Sequence, residues 1–326
     1  MTRLTKLLAV LFVLQLGLVV GLKQTQTELS APPSQMVLIS IGDVEIDQLT
    51  IEGADGEQIS LRKTEGSWLI PIDGDFPADQ EKVENFLERL LELQRGLPIG
   101  TTPAALQRFM VEENNFERRI TLQSDEKIIA EIFLGTSPRP RMAHARSSKD
   151  TSVFEIKLAT YEVPVKSEEW QDESVVQVPY PDIDAIDVSG VVSLVRNRPP
   201  DTGTSTDTTP ITELWSSPEL GPGESIQQES ADALARRISL LRVIDVLGKD
   251  MKTIYELTPP KLTLIVETTN DGTVVYELGA IEGEDDYVLK ASIRPEYFRV
   301  PDYQGKSLVE AAHRDIIVIQ IREHTD

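Results

Sequence analysis

No cysteine occurs among the 326 residues. The chain therefore has no disulfide framework, no thiolate nucleophile, no cysteine-ligated metal and no residue to carry a lipoprotein lipid. Histidine is almost as scarce. His144, His313 and His324 are the 3 imidazoles; they lie far apart without metal-ligand spacing, so solvated or structural roles are expected of them, and no metal or cofactor site. Positive charge is the third shortage, with 32 Lys and Arg against 54 Asp and Glu for a formal net charge of −22. Taking away the two charges of Arg3 and Lys6 leaves −24 on everything else, a field that repels phosphate backbones and anionic headgroups and argues against nucleic-acid binding. The hydrophobic share, 40%, still gives two domains of ordinary size a core each.

Long apolar runs are confined to the N-terminus. In "MTRLTKLLAVLFVLQLGLVVGLKQTQTELSAPP" the stretch Leu7–Leu22 is broken only by Gln15 among its large residues. As a helix rising about 1.5 Å per residue it spans roughly 24 Å, short of a bilayer core of about 30 Å; adding Leu4 and a snorkelling Lys6 closes most of that gap. The rival reading, a cleaved signal peptide, needs small residues at fixed spacing. Val19 with Gly21 is a poor candidate, and Leu29-Ser30-Ala31 puts Pro32 just after the cut. An uncleaved N-terminal transmembrane helix is therefore expected, with Arg3 and Lys6 held in the cytoplasm and the acidic bulk outside it. That makes the chain a single-pass protein of a bacterial inner membrane, meeting the membrane through Leu7–Leu22, with its bulk periplasmic or otherwise extracytoplasmic.

After a polar linker, Gln24 to Ser34, apolar residues recur at period two: Ile46, Leu49 and Ile51, then Ile59 and Leu61, then Trp68 and Ile70. Gly53-Ala54-Asp55-Gly56 and Thr64-Glu65-Gly66 supply the turns of an antiparallel meander. A helix follows, with Asp79 as its cap and Val83, Phe86, Leu87, Leu90 and Leu91 on one stripe, opposite Glu81, Glu84, Glu88 and Arg89. "RRITLQSDEKIIAEIFLGT" is another strand pair turning near Ser124 to Lys127, and "SVFEIKLATYEVPV" follows a basic loop. The class is α+β.

The second half repeats the order of the first. "IDQLTI" (Ile46 to Ile51) returns as "IDAIDV" (Ile183 to Val188), Trp68 as Trp215, Ala78-Asp79 as Ala231-Asp232, and "ITLQSDEKIIAEIFLG" (Ile120 to Gly135) as "LTLIVETTNDGTVVYELG" (Leu262 to Gly279). The last match needs two extra residues at an Asn270-Asp271-Gly272 hairpin. The offsets of 137, 147, 153, 142 and 144 wander only by turn-sized insertions. The reading is two tandem similar modules, each an antiparallel sheet with one principal helix: 1–34 tail, anchor and linker; 35–176 the first module; 177–326 the second. "NRPPDTGTSTDTTP", 197–210, is a polar surface insertion in the second, and prolines of "VQVPYPDID" break the ladder at the boundary.

"GSWLIP" ahead of "PADQEKVENFLERLLEL", together with "IYELTPPKLTLIVETTNDGTVVYELG", resembles the bacterial family catalogued as domain of unknown function 4340, over about residues 46–172 and 183–318. The resemblance implies a domain tethered by an N-terminal helix, present once or in tandem, and often encoded beside ABC-type transporters of the gliding-motility kind. The first repeat has "FMVEENNFE", Phe109 to Glu117, where the second has Tyr255 to Pro260. The family supplies no catalytic residue to carry over.

No residue set announces chemistry by itself. "QGKS", Gln304 to Ser307, mimics the end of a phosphate loop, but Val300 stands where the first glycine belongs. Asp73-Gly74-Asp75 and Glu282 to Asp286 are acidic without the spacing of a calcium loop, and solvated turns are expected. Trp68 and Trp215, at equivalent strand positions, are expected in the core rather than stacked on a ligand. The one basic island, "PRPRMAHARSSK" from Pro138 to Lys149, offers Arg139, Arg141 and Arg146 as partner-docking residues against the plainer expectation of a solvated loop. The functional expectation is a non-enzymatic accessory subunit of an ABC-type transport or envelope complex, partnered by a permease or another envelope protein. The alternative is an extracytoplasmic module that binds a glycan, peptide or lipid in a cleft between the repeats, and an acid-catalysed hydrolase comes third.

Overall fold

The computed structural model describes residues 36–198, 214–270 and 272–320. The expected anchor Leu7–Leu22, the linker, most of the 197–210 insertion, Asp271 of the expected hairpin and His324 lie outside them. No helix among the described residues is long and apolar enough to cross a membrane. The chain forms two compact units that divide after Trp170. The segment following the division hydrogen-bonds into the second unit, where Tyr276 donates its hydroxyl to Val176 O at 2.6 Å and Val243 N donates to Glu173 O at 3.0 Å.

The fold is sheet-rich, with few helices and two large antiparallel sheets. In the first unit strands β1 (Gln48–Gly53), β2 (Gln58–Thr64), β3 (Ser67–Ile70) and β4 (Phe76–Pro77) lead to helix α1 (Gln80–Leu91). A short helix, α2 (Pro103–Phe109), precedes β5 (Arg118–Ser124), β6 (Lys127–Leu134), β7 (Ala143–Ser147) and β8 (Phe154–Ile156). The sheet order is β8-β7-β6-β5-β1-β2-β3-β4. The β2–β3 and β5–β6 hairpins close on two-residue turns with positive φ, Glu65-Gly66 and Asp125-Glu126, whose twist suits antiparallel strands.

In the second unit β9 (Ile183–Val188), β10 (Val192–Asn197), β11 (Leu214–Ser216) and β12 (Glu224–Ile226) lead to α3 (Gln228–Ser239). Then come β13 (Asp245–Gly248), β14 (Leu262–Thr268), β15 (Thr273–Ala280), β16 (Tyr287–Ala291), β17 (Tyr297–Val300) and α4 (Asp302–Ala311). Its sheet order, β11-β10-β9-β14-β15-β16-β17-β13, repeats β3-β2-β1-β5-β6-β7-β8 over its first seven strands. Only the eighth differs: β4 continues one edge of the first sheet, whereas β13 continues the opposite edge of the second.

Burial follows the alternation. In the first unit Leu49, Ile51, Ile59, Leu61, Trp68 and Ile70 form one core with Val83, Phe86 and Leu90 of α1, each fully buried large side chain contributing about 1.5–3 kcal/mol. Asp79 caps α1, its carboxylate accepting from Lys82 N at 3.0 Å. Phe133, one residue out of phase with Ile132 and Leu134, packs on the opposite face with Val111 and Val153 beneath α2. In the second unit α3 buries Ala231, Leu234, Ala235 and Ile238.

Three expectations are corrected. Ala231-Asp232 does not lead the second helix; it lies one turn inside α3, whose N-cap is Gln227, so the counterpart of Asp79 is Gln227. The β14–β15 hairpin has no extra residues: Ile120 pairs with Ile132 and Leu264 with Tyr276, the same separation, and the first unit instead takes up a residue in a bulge between Ile128 and Ala130. The second unit carries a further helix, α4, so one principal helix describes only the first.

Candidate functional site

The basic island does not form one loop. Arg139 and Arg141 are exposed, Arg139 paired with Glu155 at 3.4 Å, but Arg146 sits in β7, all five residues of which are buried. Its guanidinium donates to Val111 O at 2.7 Å and Asp150 O at 3.3 Å and lies 4.5 Å over the Phe133 ring. Lys290 does the same work in β16, donating to Arg294 O, Pro295 O and Glu296 O and lying over Tyr297. Both cations hold the hairpin that follows them. Arg146 is thus a structural residue, and of the three arginines only Arg139 and Arg141 face solvent.

The histidines separate similarly. His144 is buried in β7, its Nδ1 2.8 Å from Thr136 Oγ1 and its ring 4.3 Å from that of Phe109. Burial holds its pKa below the ordinary value, against the pull of Glu155. His313 is exposed. Among the described residues no group of three or more His, Asp or Glu is arranged to hold a metal. Glu284 and Asp286 instead pair with Arg299, and Asp75 with Arg62. "QGKS" falls inside α4, where Gly305 meets the Tyr287 ring so closely that a Cβ would stand 2.2 Å from it; there it packs a helix, and no phosphate loop exists.

Trp68 and Trp215 are both buried, as expected. Each is bracketed by a glutamine from the first turn of the following helix. Gln80 Oε1 accepts from Trp68 N at 2.7 Å while its Nε2 donates to Trp68 O at 3.0 Å and Ala78 O at 2.6 Å. Gln228 accepts from Trp215 N at 2.7 Å and donates to Trp215 O at 2.9 Å and Ile226 O at 3.4 Å. Sequence reasoning missed these brackets, although a glutamine stands 12 residues after Trp68 and 13 after Trp215. Equally repeated are Gly135 and Gly279, where a Cβ would stand 1.9 Å from Phe109 O and 2.4 Å from Glu256 O. Only a residue without a side chain allows those crossing chains to touch.

The feature best suited to meeting a partner is a groove of about 650 Å³ between α3 and α4. Arg236, Arg237 and Arg242 line it with Leu240 and Tyr303, which are 68% and 70% exposed. Arg236 is paired with Asp232 at 2.8 Å and Arg242 with Glu173 at 3.3 Å, whereas Arg237 donates to the neutral Ser307 Oγ. The result is a local cationic, amphipathic strip in an acidic chain. Its sequence signal was Arg236-Arg237 closing an amphipathic helix, a position that suits cations by the helix dipole.

Two large antiparallel sheets with few helices define the class of the fold as α+β. The family model of the domain of unknown function (DUF4340) matches residues 68–260, and the chain belongs to this family. The match opens at Trp68, runs past Trp170 and stops just ahead of β14, so it takes in parts of both units. No curated protein and no solved structure matches the chain.

Proposed function

We propose that this protein is a non-enzymatic accessory subunit of an ABC-type transport or envelope complex. It is anchored by Leu7–Leu22 in a bacterial inner membrane, N-terminus in the cytoplasm, and presents two tandem copies of one α+β module on the far side. The tandem reading is supported by the seven shared strand positions, the two glutamine brackets and the two glycine contacts. The accessory reading is carried by the α3–α4 groove, whose exposed Leu240 and Tyr303 among three arginines suit an acidic, amphipathic segment of a partner.

The test is copurification of the full chain from its native host in mild detergent, as wild type and as Arg237→Glu/Arg242→Glu. A permease or ATPase subunit is expected with the wild type and at least about tenfold less of it with the variant, since reversing charges at a polar interface costs more than 1.4 kcal/mol. Recovery of the wild-type chain alone overturns the reading. Arg139→Glu/Arg141→Glu distinguishes a second docking surface in the first unit.

A further inference from the structure

The pairing registers lay the two units over one another residue by residue. Leu49 lies between Leu61 and Leu122 as Ile186 lies between Leu194 and Val266, and Lys63 pairs with Trp68 as Arg196 pairs with Trp215. The bracketing glutamines fix the helices, so Glu84 and Glu88 correspond to Asp232 and Arg236. Six residues before Leu49 and Ile186 stand Asp43 and Tyr180.

In the second unit this corner is full. Arg196 lies 4.7 Å over Trp215 and 4.3 Å over the Tyr180 ring, Arg236 lies 4.3 Å over that ring, and the Tyr180 hydroxyl donates to Asp232. Burial, then the bond to Asp232, pushes the phenol's pKa up, so it keeps its proton. In the first unit Asp43 is exposed and a cavity of about 360 Å³ occupies the corner, walled by Leu87 and Leu91, bounded by Trp68 and rimmed by Glu45 and Glu84. Trp68 is 1% exposed, and among the described residues its indole Nε1 has no hydrogen-bond partner, an uncommon and costly state for a buried donor. The cavity falls in the size range of small-ligand sites.

We propose that this cavity receives a tyrosyl side chain carried on a basic segment of a partner protein, seated as Tyr180 is seated in the second unit. Its phenol donates to Glu84 as Tyr180 donates to Asp232, and its oxygen or ring edge lies beside the Trp68 indole. The basic flank follows from one exchange: where the second unit supplies Arg236 over the ring, the first has Glu88, and Lys63 is already held by Glu45 at 3.1 Å. The cation must therefore come with the ring, and Asp43 and Glu84 on the rim attract it, Glu45 being taken up by Lys63. This site rests on the correspondence between the units and not on the transport reading, so either can fail alone.

The test uses the full chain in detergent, its tryptophan indoles labelled for NMR, titrated with the capped tripeptide Arg-Tyr-Arg. A saturable shift of the Trp68 indole signal is expected, with those of Trp170 and Trp215 unmoved. Glu84→Gln, and separately the Arg-Phe-Arg peptide, weaken binding about fivefold through loss of the phenol contact. Asp43→Tyr, which installs the second unit's own plug, abolishes binding without lowering the melting temperature. An unmoved Trp68 signal, an Asp43→Tyr chain that binds as tightly as the parent, or equal binding of Glu-Tyr-Glu or of phenol alone each overturns the proposal.

Discussion

The first unit closes over its sheet with one long helix and a large ring; the second closes with two helices. After β8 the first unit runs through two single turns, Thr160–Glu162 and Ser167–Glu169, to Trp170, whose ring meets Phe86 edge-on at 5.3 Å. After β17 the second unit builds α4, seated on Tyr287 through Gly305. Both segments finish alike, with a carbonyl accepting from the backbone of the helix cap: Trp170 O from Asp79 N at 2.8 Å, Ile317 O from Gln227 N at 2.7 Å. What differs between these fixed ends is surface, and the α3–α4 groove exists only because the second unit spells the segment as a helix. Sheet order, brackets and glycine contacts are what the two units share; the closing segments and the corner beside each tryptophan are where they differ.

The comparison breaks most visibly at the glycines. Gly135→Ala drives a methyl into the Phe109 carbonyl, and a backbone atom cannot swing away, so a loss of about 3 kcal/mol or more is expected in chemical denaturation. Gly279→Ala, with its contact 2.4 Å rather than 1.9 Å away, should cost less but carry the same sign. A neutral result at either position would show that the two crossings are not the same device.

Next in size are the hairpin cations. Arg146→Leu leaves the buried Val111 carbonyl and the half-buried Asp150 carbonyl without their donor, for an expected loss of about 2–3 kcal/mol. Lys290→Leu, facing three carbonyls from a less buried site, is expected to lose about 1–2 kcal/mol. Arg139→Ala and Arg141→Ala, on the same basic island, should stay within about 0.5 kcal/mol. Denaturation midpoints that rank Arg139 with Arg146 would restore the island as one surface.

That ranking shows what was legible in the sequence. The period-two runs, the α1 stripe with its Asp79 cap and the two core tryptophans followed from patterning, because one face of each element is buried and the other is wet. "AHARS" hid its burial because both of its faces are covered, so no alternation marks β7 and a basic letter looked solvated. Helix α4 escaped notice because its buried residues are Gly305, Leu308 and Ala311, a stripe too thin to register, and its glycine invited a loop reading. Ala231-Asp232 matched Ala78-Asp79 by letters, whereas the true equivalence is set by glutamine hydrogen bonds that composition does not reveal. The α3–α4 groove, formed by residues far apart in the chain, had only its Arg236-Arg237 end to show.

The glutamine brackets sharpen the comparison at a smaller scale. Gln80→Ala and Gln228→Ala each remove three partly buried hydrogen bonds and should cost about 1–2 kcal/mol, nearly equally, when each unit is followed by hydrogen exchange.

The smallest expected effect is a pH dependence confined to one unit. Counting from the paired glycines, nine residues past Gly135 stands His144 and nine past Gly279 stands Val288, so only the first unit has a titratable group there. Burial disfavours the imidazolium and holds the folded pKa below the ordinary 6.5, so in the window between the two values the unfolded chain binds more protons than the folded one. Stability from this group is fully present above about pH 6.5 and is lost as pH falls through the lower, folded value. Hydrogen exchange followed from about pH 7 down to about pH 5, above the range where carboxylates titrate, should show the first unit loosening while the second holds. His144→Val, which writes the second unit's residue into the first, should flatten that slope; if the slope survives the substitution, or if both units share it, the buried imidazole is not its source.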